Sequence, residues 1–145
     1  MIKEAQKTLQ EKRLAFLNDT LAYYEADPAI RRNAALGDNT GFGNYAECTY
    51  APRHAGTEGC AIGRHLPLEL AKQFDHNPHD TSVGNTVIFN QLPDVLKELG
   101  KVFLGDMQRL HDRPWLWLDN DCQSGTAAAR RAGYVASLKY DYRLE

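Results

Sequence analysis

The sequence predicts a mainly α-helical domain with some β structure, in which three or four helices pack with a small β-hairpin and a long glycine-rich loop. Two stretches carry apolar residues at the three-and-four spacing of one helix face, from Ile2 to about Tyr24 and from about Gln91 to His111. Between them, glycines punctuate polar residues from Arg32 to Gly63. No tandem repeat or linker divides the 145 residues, so we expect a single globular domain over residues 1–145.

The first element is a long amphipathic helix beginning at Ile2. We expect it to end near Ala26, because Asp27 precedes Pro28 and a residue before proline avoids the helical region of backbone space.

The glycine-rich region contains two short candidate strands, residues 47–51 and residues 59–62, joined by a turn through residues 52–58. An isolated two-stranded hairpin is marginally stable, so we expect this hairpin to lie on the helices.

Pro67 suits the first turn of a short helix from about Leu66 to Phe74. Residues 81–89 fit neither the helical nor the strand period, and both a capped helical turn and a strand remain open for them.

In the stripe from Gln91 to His111, Gly100 costs about 1 kcal/mol relative to alanine, as does Gly105. A kink or break near Gly100 is therefore expected.

The carboxy-terminal part begins with Trp115 to Leu118, which we interpret as an extended or turn segment that anchors an aromatic ring in the core. A last helix is expected from about Ser124 to Leu138. It is rich in alanine and glycine, and such small side chains predict close packing against one of the two long helices.

Composition narrows the classes of function. The 17 basic and 19 acidic residues give a formal charge of −2, which disfavours nonspecific binding to nucleic acid, although the pair Arg130 and Arg131 could still meet a phosphate. The amino terminus interleaves charged with apolar residues, unlike a secretory signal, and no apolar run approaches the roughly 20 residues that span a bilayer. We therefore expect a cytoplasmic protein that does not contact a membrane.

The odd count of three cysteines indicates reduced thiols rather than a disulfide framework. Zinc is one alternative, because Cys48, His54, Cys60 and His65 lie in one loop-rich stretch. The spacing argues against a metal site, since structural zinc sites usually place two cysteines two to four residues apart and eleven residues separate Cys48 from Cys60. We expect no cofactor; the alternative is a zinc-stabilised domain that uses Cys48, Cys60 and His65.

A thiol enzyme is the second alternative. Cys60 would be the nucleophile, His65 or His111 the base, and Asp112 the group that orients it, in a small hydrolase or transferase. The competing interpretation makes Cys48 and Cys60 buried packing atoms, and His111 with Asp112 the polar end of a helix.

Several short motifs carry a family resemblance. They are Cys48-Thr49-Tyr50, Gly59-Cys60-Ala61-Ile62-Gly63, and Phe103-Leu104 with Gln108 and His111-Asp112. Over roughly residues 45 to 118, the chain resembles a family of small hypothetical proteins from tailed phages and bacterial genomes. The resemblance implies a compact accessory protein of a mobile element, in the host cytoplasm if phage-encoded, that binds a host factor or a small signalling molecule. It carries no catalytic residues over to this chain.

The function expected from the sequence is binding of a protein or small-molecule partner without catalysis. We expect polar and aromatic side chains of the loops to form the binding surface. They are Asn39, Phe42, Tyr45, Arg53, His54 and Arg64. A homodimer through the small-residue helix, or through an exposed Trp115 or Trp117, is a further alternative.

Overall fold

The computed structural model describes residues 2–27, 49–51, 59–76, 83, 86–119 and 125–144, and these residues are mostly helical. The α-helices are α1 (Ile2–Ala26), α2 (Leu68–Asp75), α3 (Thr86–Asn90), α4 (Asp94–Lys97), α5 (Lys101–Asp112) and α6 (Ala127–Tyr142). Two short 3₁₀ turns, Gly63–His65 and Pro114–Leu116, lie between them. The prediction of a mainly α protein is confirmed. In the part of the chain that the structure describes, no helix is both long and apolar enough to cross a lipid bilayer.

The predicted β-hairpin is wrong, because residues 49–51 and 59–62 form no strand. One backbone hydrogen bond does join the two segments, from the Cys60 amide to the Thr49 carbonyl over 2.8 Å. Among the described residues no second bond extends this ladder, since the amides of Tyr50 and Ala51 donate to the two carboxylate oxygens of Asp75 over 2.7 and 3.0 Å. The second segment then turns into the 3₁₀ turn instead of extending.

Two glycines allow the Tyr50 backbone to approach closely. A Cβ atom built on Gly59 would lie 1.8 Å from the Tyr50 carbonyl oxygen, and one built on Gly63 would lie 1.9 Å from the same oxygen. No other residue type fits such a distance, so glycine is required here for space. The buried Tyr50 side chain is then held by a hydrogen bond from Gln108 Nε2 to its hydroxyl over 2.9 Å.

The core lies between α1 and α5. Leu17 of α1 is fully buried, as are Phe103 and Leu110 of α5. Phe16 and Phe103 meet edge to face with ring centroids 6.1 Å apart. The three-and-four spacing recognised in the sequence therefore does place apolar side chains on the packed faces.

The break predicted near Gly100 is confirmed. The apolar stripe divides into α4 and α5, and Gly100 between them has a φ of 96°, a left-handed conformation that glycine adopts without strain. Arg13 of α1 covers this break by donating from Nε to the Leu99 carbonyl over 2.9 Å.

The sequence did not decide between a helix and a strand for the region around Val83 and Ile88. This region contains α3, in which Ile88 is buried, and Val83 is buried as well. Gln108 accepts a hydrogen bond from the Val83 amide over 3.0 Å, which attaches this segment to α5. The short helix predicted around Leu66 to Phe74 is α2, and Pro67 occupies the position that caps its amino end.

The expectation that the small residues of the last helix pack closely is wrong. In α6, Ala128, Ala132 and Ala136 are exposed, and a Cβ atom added to Gly133 would meet nothing within 4 Å. Ala127 is the one small residue of α6 that is buried, and Leu138 is the other buried residue of the helix.

Two arginines attach α6 to the 3₁₀ turn at Pro114–Leu116. Arg130 donates to the carbonyl oxygens of Trp115 and Leu118 over 2.6 and 2.8 Å, and Arg131 donates to that of Leu116 over 2.9 Å. The pair considered for phosphate binding is thus engaged with backbone carbonyls. The segment from Trp115 to Leu118 forms a turn, which is one of the two conformations that the sequence predicted.

Asp106 connects α5 to the carboxy-terminal end of α6. It accepts hydrogen bonds from Arg109, over 2.6 Å, and from the Tyr142 hydroxyl. Burial, together with this hydrogen bond, raises the pKa of Tyr142, and burial also raises the pKa of the neighbouring Tyr134. The hydrogen bond to Asp106 raises the pKa of Arg109.

Candidate functional site

The candidate site is a groove of about 480 Å³ between α1, the α4 region and the 3₁₀ turn at Gly63–His65. It is open to solvent and mostly apolar. Its lining residues are Lys12, Ala15, Phe16, Asp19, His65, Val95, Leu96, Glu98 and Leu99. A volume in this range is typical of sites that bind small molecules or side chains of a partner.

Helical spacing places the α1 part of this lining on one face. Lys12, Ala15, Phe16 and Asp19 recur at intervals of three and four residues, which brings side chains above one another along a helix. Phe16 is buried, whereas Ala15 is exposed, so the α1 wall runs from the core to the surface.

The opposite wall comes from the short α4 and the residues that follow it. Leu96 and Leu99 are almost fully buried and back onto the core, while Val95 is 68% exposed. Val95 therefore gives the solvent-exposed edge of the groove an apolar side chain.

Charged side chains stand at two places around the groove. Lys12 donates from Nζ to Glu98 over 3.0 Å, joining α1 to the end of α4. Seven residues further along α1, Asp19 accepts a hydrogen bond from Arg64 over 2.6 Å. The Asp19 side chain remains about half exposed, so part of its carboxylate is accessible to solvent and to a ligand.

His65 combines contacts with the apolar and the charged parts of the lining. Its ring lies on Phe16, with centroids 4.8 Å apart, and its Nε2 atom is 3.6 Å from an Asp19 carboxylate oxygen. The side chain is 31% exposed. An imidazole in this position changes the polarity of the groove wall when it gains or loses a proton.

Arg64 was predicted from the sequence as a partner-binding residue. The structure covers most of its side chain, which is 10% exposed, and places its guanidinium over the Tyr23 ring at 4.1 Å from the centroid. Since it also donates to Asp19, Arg64 acts on the groove by orienting that carboxylate.

The structure buries part of the alternative thiol site and leaves His65 and Asp112 partly exposed. The side chains of Cys60 and His111 are fully buried, and Nδ1 of His111 is 2.7 Å from an Asp112 carboxylate oxygen. His111 packs on the Tyr24 ring with centroids 4.7 Å apart. The structure thus brings His111 and Asp112 together.

His65 belongs to a different part of the molecule from His111. His65 contacts Phe16 and His111 contacts Tyr24, and these two positions are eight residues, about 12 Å, apart along α1. The two imidazoles are therefore not arranged around one nucleophile.

The other predicted binding positions lie outside the described residues. They are Asn39, Phe42, Tyr45, Arg53 and His54, together with Cys48 of the zinc alternative. Among the residues that are described, no group of three or more His, Cys, Asp or Glu side chains is arranged to hold a metal ion.

Sequence reasoning missed the groove itself. Lys12 and Asp19 were visible as charges seven residues apart on one helix face, a signal that could have marked the α1 wall. The α4 wall gave no comparable signal, because Val95 and Leu96 are neighbours in the same apolar stripe and only the tertiary packing separates the exposed residue from the buried one.

Comparisons with protein families, with curated proteins and with solved structures find no match to this chain. The resemblance to small phage and bacterial proteins therefore stays a prediction. The fold and the site together define a mainly α-helical protein with an open apolar groove beside its long first helix.

Proposed function

We propose that this protein is a binding protein without catalysis, and that its groove receives a short amphipathic helix of a partner protein. The observation that carries the proposal is the groove between α1 and α4, with an apolar lining and charged side chains beside it. Amphipathic helices bind other proteins by laying an apolar face into a groove of this kind.

The shape of the groove favours a protein segment over a small molecule. Small-molecule sites enclose most of their ligand, whereas this groove is open to solvent along the side where Val95 is exposed. The lining runs along α1 from Lys12 to Asp19, seven residues or about 10 Å at the helical rise. A partner helix covers the same length with apolar side chains at positions i, i+4 and i+7.

The charges beside the groove suggest the polarity of this partner. Asp19 already accepts from Arg64 but is about half exposed, so it can accept a further hydrogen bond from a basic side chain. Lys12, at the other end of the α1 wall, forms an ion pair with Glu98, so these two charges neutralise each other. We therefore propose a partner helix with a lysine or arginine next to its apolar face.

The proposal that catalysis is absent is supported by the burial of Cys60 and His111, since a nucleophile and its base must meet the substrate. The cytoplasmic location and the role as an accessory protein of a mobile element are also proposals. They rest on the cysteine content of the sequence and on the resemblance described above.

Selection from a library of displayed peptides tests the proposed function. Peptides of about 12 residues, long enough to form a helix on binding, would carry random apolar residues on one face and basic residues beside it. Selected peptides are then measured against the wild type and against Ala15→Arg by fluorescence anisotropy. Ala15 is an exposed lining residue, so its arginine variant fills the groove without disturbing the core.

Ala26→Arg is the matched control. Ala26 is also an exposed alanine of α1 and receives the same charge, but it does not line the groove and lies seven residues from Asp19. We expect Ala15→Arg to weaken binding by about tenfold or more and Ala26→Arg to leave it unchanged. A library that yields no binder, or peptides that bind Ala15→Arg as tightly as wild type, would contradict the proposal.

A further inference from the structure

Among the groove-lining residues that the structure describes, His65 is the one whose side-chain type ordinarily changes its charge between pH 5 and pH 8. The other charged groups that line the groove are two carboxylates and a primary amine, types whose ordinary pKa values lie outside this range. These groups are Lys12 and Asp19 on α1 and Glu98 at the end of α4. Arg64, next to His65, is bound to the same Asp19.

We infer that protonation of His65 releases the partner helix, so that the groove binds at neutral pH and opens for exchange on acidification. The inference rests on the proposed function and adds a regulation to it. Protonation of His65 weakens binding of the partner in two ways. A charged imidazole makes a wall of the groove polar where the partner presents an apolar face. It also lies 3.6 Å from Asp19, where it competes for that carboxylate with the basic side chain of the partner.

The size of the effect follows from the fraction of His65 that is neutral. If the partner binds the neutral form alone, its apparent dissociation constant is divided by that fraction. A histidine side chain ordinarily changes its charge between pH 5 and pH 8, so the neutral fraction falls as the pH is lowered across this range. We expect affinity to be several-fold lower at about pH 5.5 than at about pH 7.5.

The experiment uses a peptide selected as described above that contains no histidine, with its affinity for the full chain measured at both pH values. In His65→Phe, which keeps an aromatic ring on Phe16 but cannot be protonated, the ratio of the two affinities should be close to one, whatever their absolute size. His76→Asn removes a different exposed histidine, at the end of α2, and should keep the wild-type ratio.

A second measurement does not depend on the folding of a variant. The His65 ring is titrated by NMR with and without the peptide, and by reciprocity a peptide that prefers the neutral ring must move the titration midpoint to lower pH. Unchanged affinity across the two pH values, an unmoved midpoint, or an unaltered ratio in a folded His65→Phe would each overturn the inference while leaving the proposed function intact. The absence of any peptide binder overturns the proposed function instead.

Discussion

Gly63→Ala sets two physical effects against each other, and the structure decides which one is larger. Gly63 lies in a right-handed 3₁₀ turn, where alanine should be favoured over glycine by up to about 1 kcal/mol. The added methyl carbon, however, would lie 1.9 Å from the Tyr50 carbonyl oxygen and 2.5 Å from the Tyr50 Cα atom, distances that non-bonded atoms never adopt. The obstacle is backbone, so it cannot rotate away.

The cost of this clash follows from what has to move. Overpacking alone costs about 1 to 3 kcal/mol. Restoring an ordinary contact would shift the Tyr50 backbone by more than 1 Å, roughly, and so stretch the 2.7 Å hydrogen bond from its amide to Asp75. A hydrogen bond to a charged group is worth about 1.5 to 3 kcal/mol. We expect Gly63→Ala to lower the free energy of unfolding by about 3 kcal/mol or more.

Urea denaturation followed by circular dichroism measures this change. Gly133→Ala is the matched control, because Gly133 lies in the exposed part of α6 with nothing within 4 Å of an added Cβ atom. That variant should be more stable than wild type by up to about 1 kcal/mol. If Gly63→Ala is as stable as the wild type, the close approach of Gly63 to Tyr50 is wrong, and so is the account of the failed hairpin.

Three further predictions concern the polar contacts. Asp75→Asn should cost about 1 to 3 kcal/mol, because an amide cannot accept from two backbone N–H groups with two oxygens; chemical denaturation measures it, with exposed Asp141→Asn as the unaffected control. Arg130→Lys should cost about 1 to 3 kcal/mol in the same assay, since lysine cannot reproduce the guanidinium fork that reaches three carbonyl oxygens. The raised pKa of Tyr142 means that its contribution to stability is fully present below the unfolded tyrosine pKa of about 10 and is lost as the pH rises above it. Tyr142→Phe should therefore flatten the loss of stability above about pH 10 in denaturation curves, whereas exposed Tyr140→Phe should not; equal slopes in both variants would contradict the assignment.

Local periodicity was sufficient to predict the long helices and the break between α4 and α5. Apolar spacing in α1 and α5 and the cost of glycine inside a helix are properties of neighbouring residues, and they can be read without knowing the fold. The residues that form these helices are therefore consistent at the local and the tertiary level.

The hairpin could not be corrected from the sequence, because the competing partner is distant. The amides of Tyr50 and Ala51 donate to Asp75, about 25 residues further along the chain, rather than to an opposing strand. The close packing predicted for the small residues of α6 was wrong for a related reason. Its small residues permit a close approach, but Arg130 and Arg131 anchor the helix on another face, at the turn of Pro114–Leu116.

Along α1, buried side chains pack into the core, and exposed side chains near Phe16 line the proposed binding groove. At Tyr24 the helix packs against fully buried His111 and nearly buried Trp117, and the Tyr24 hydroxyl donates to the Gly59 carbonyl over 2.7 Å. At Phe16, two turns earlier, the neighbour is the partly exposed His65 beside the groove. Substitutions at the Tyr24 end should therefore lower stability, whereas substitutions of exposed groove residues should change affinity with little change in stability. One helix can thus contribute to the core with its buried face and form one wall of the proposed binding groove with its exposed residues.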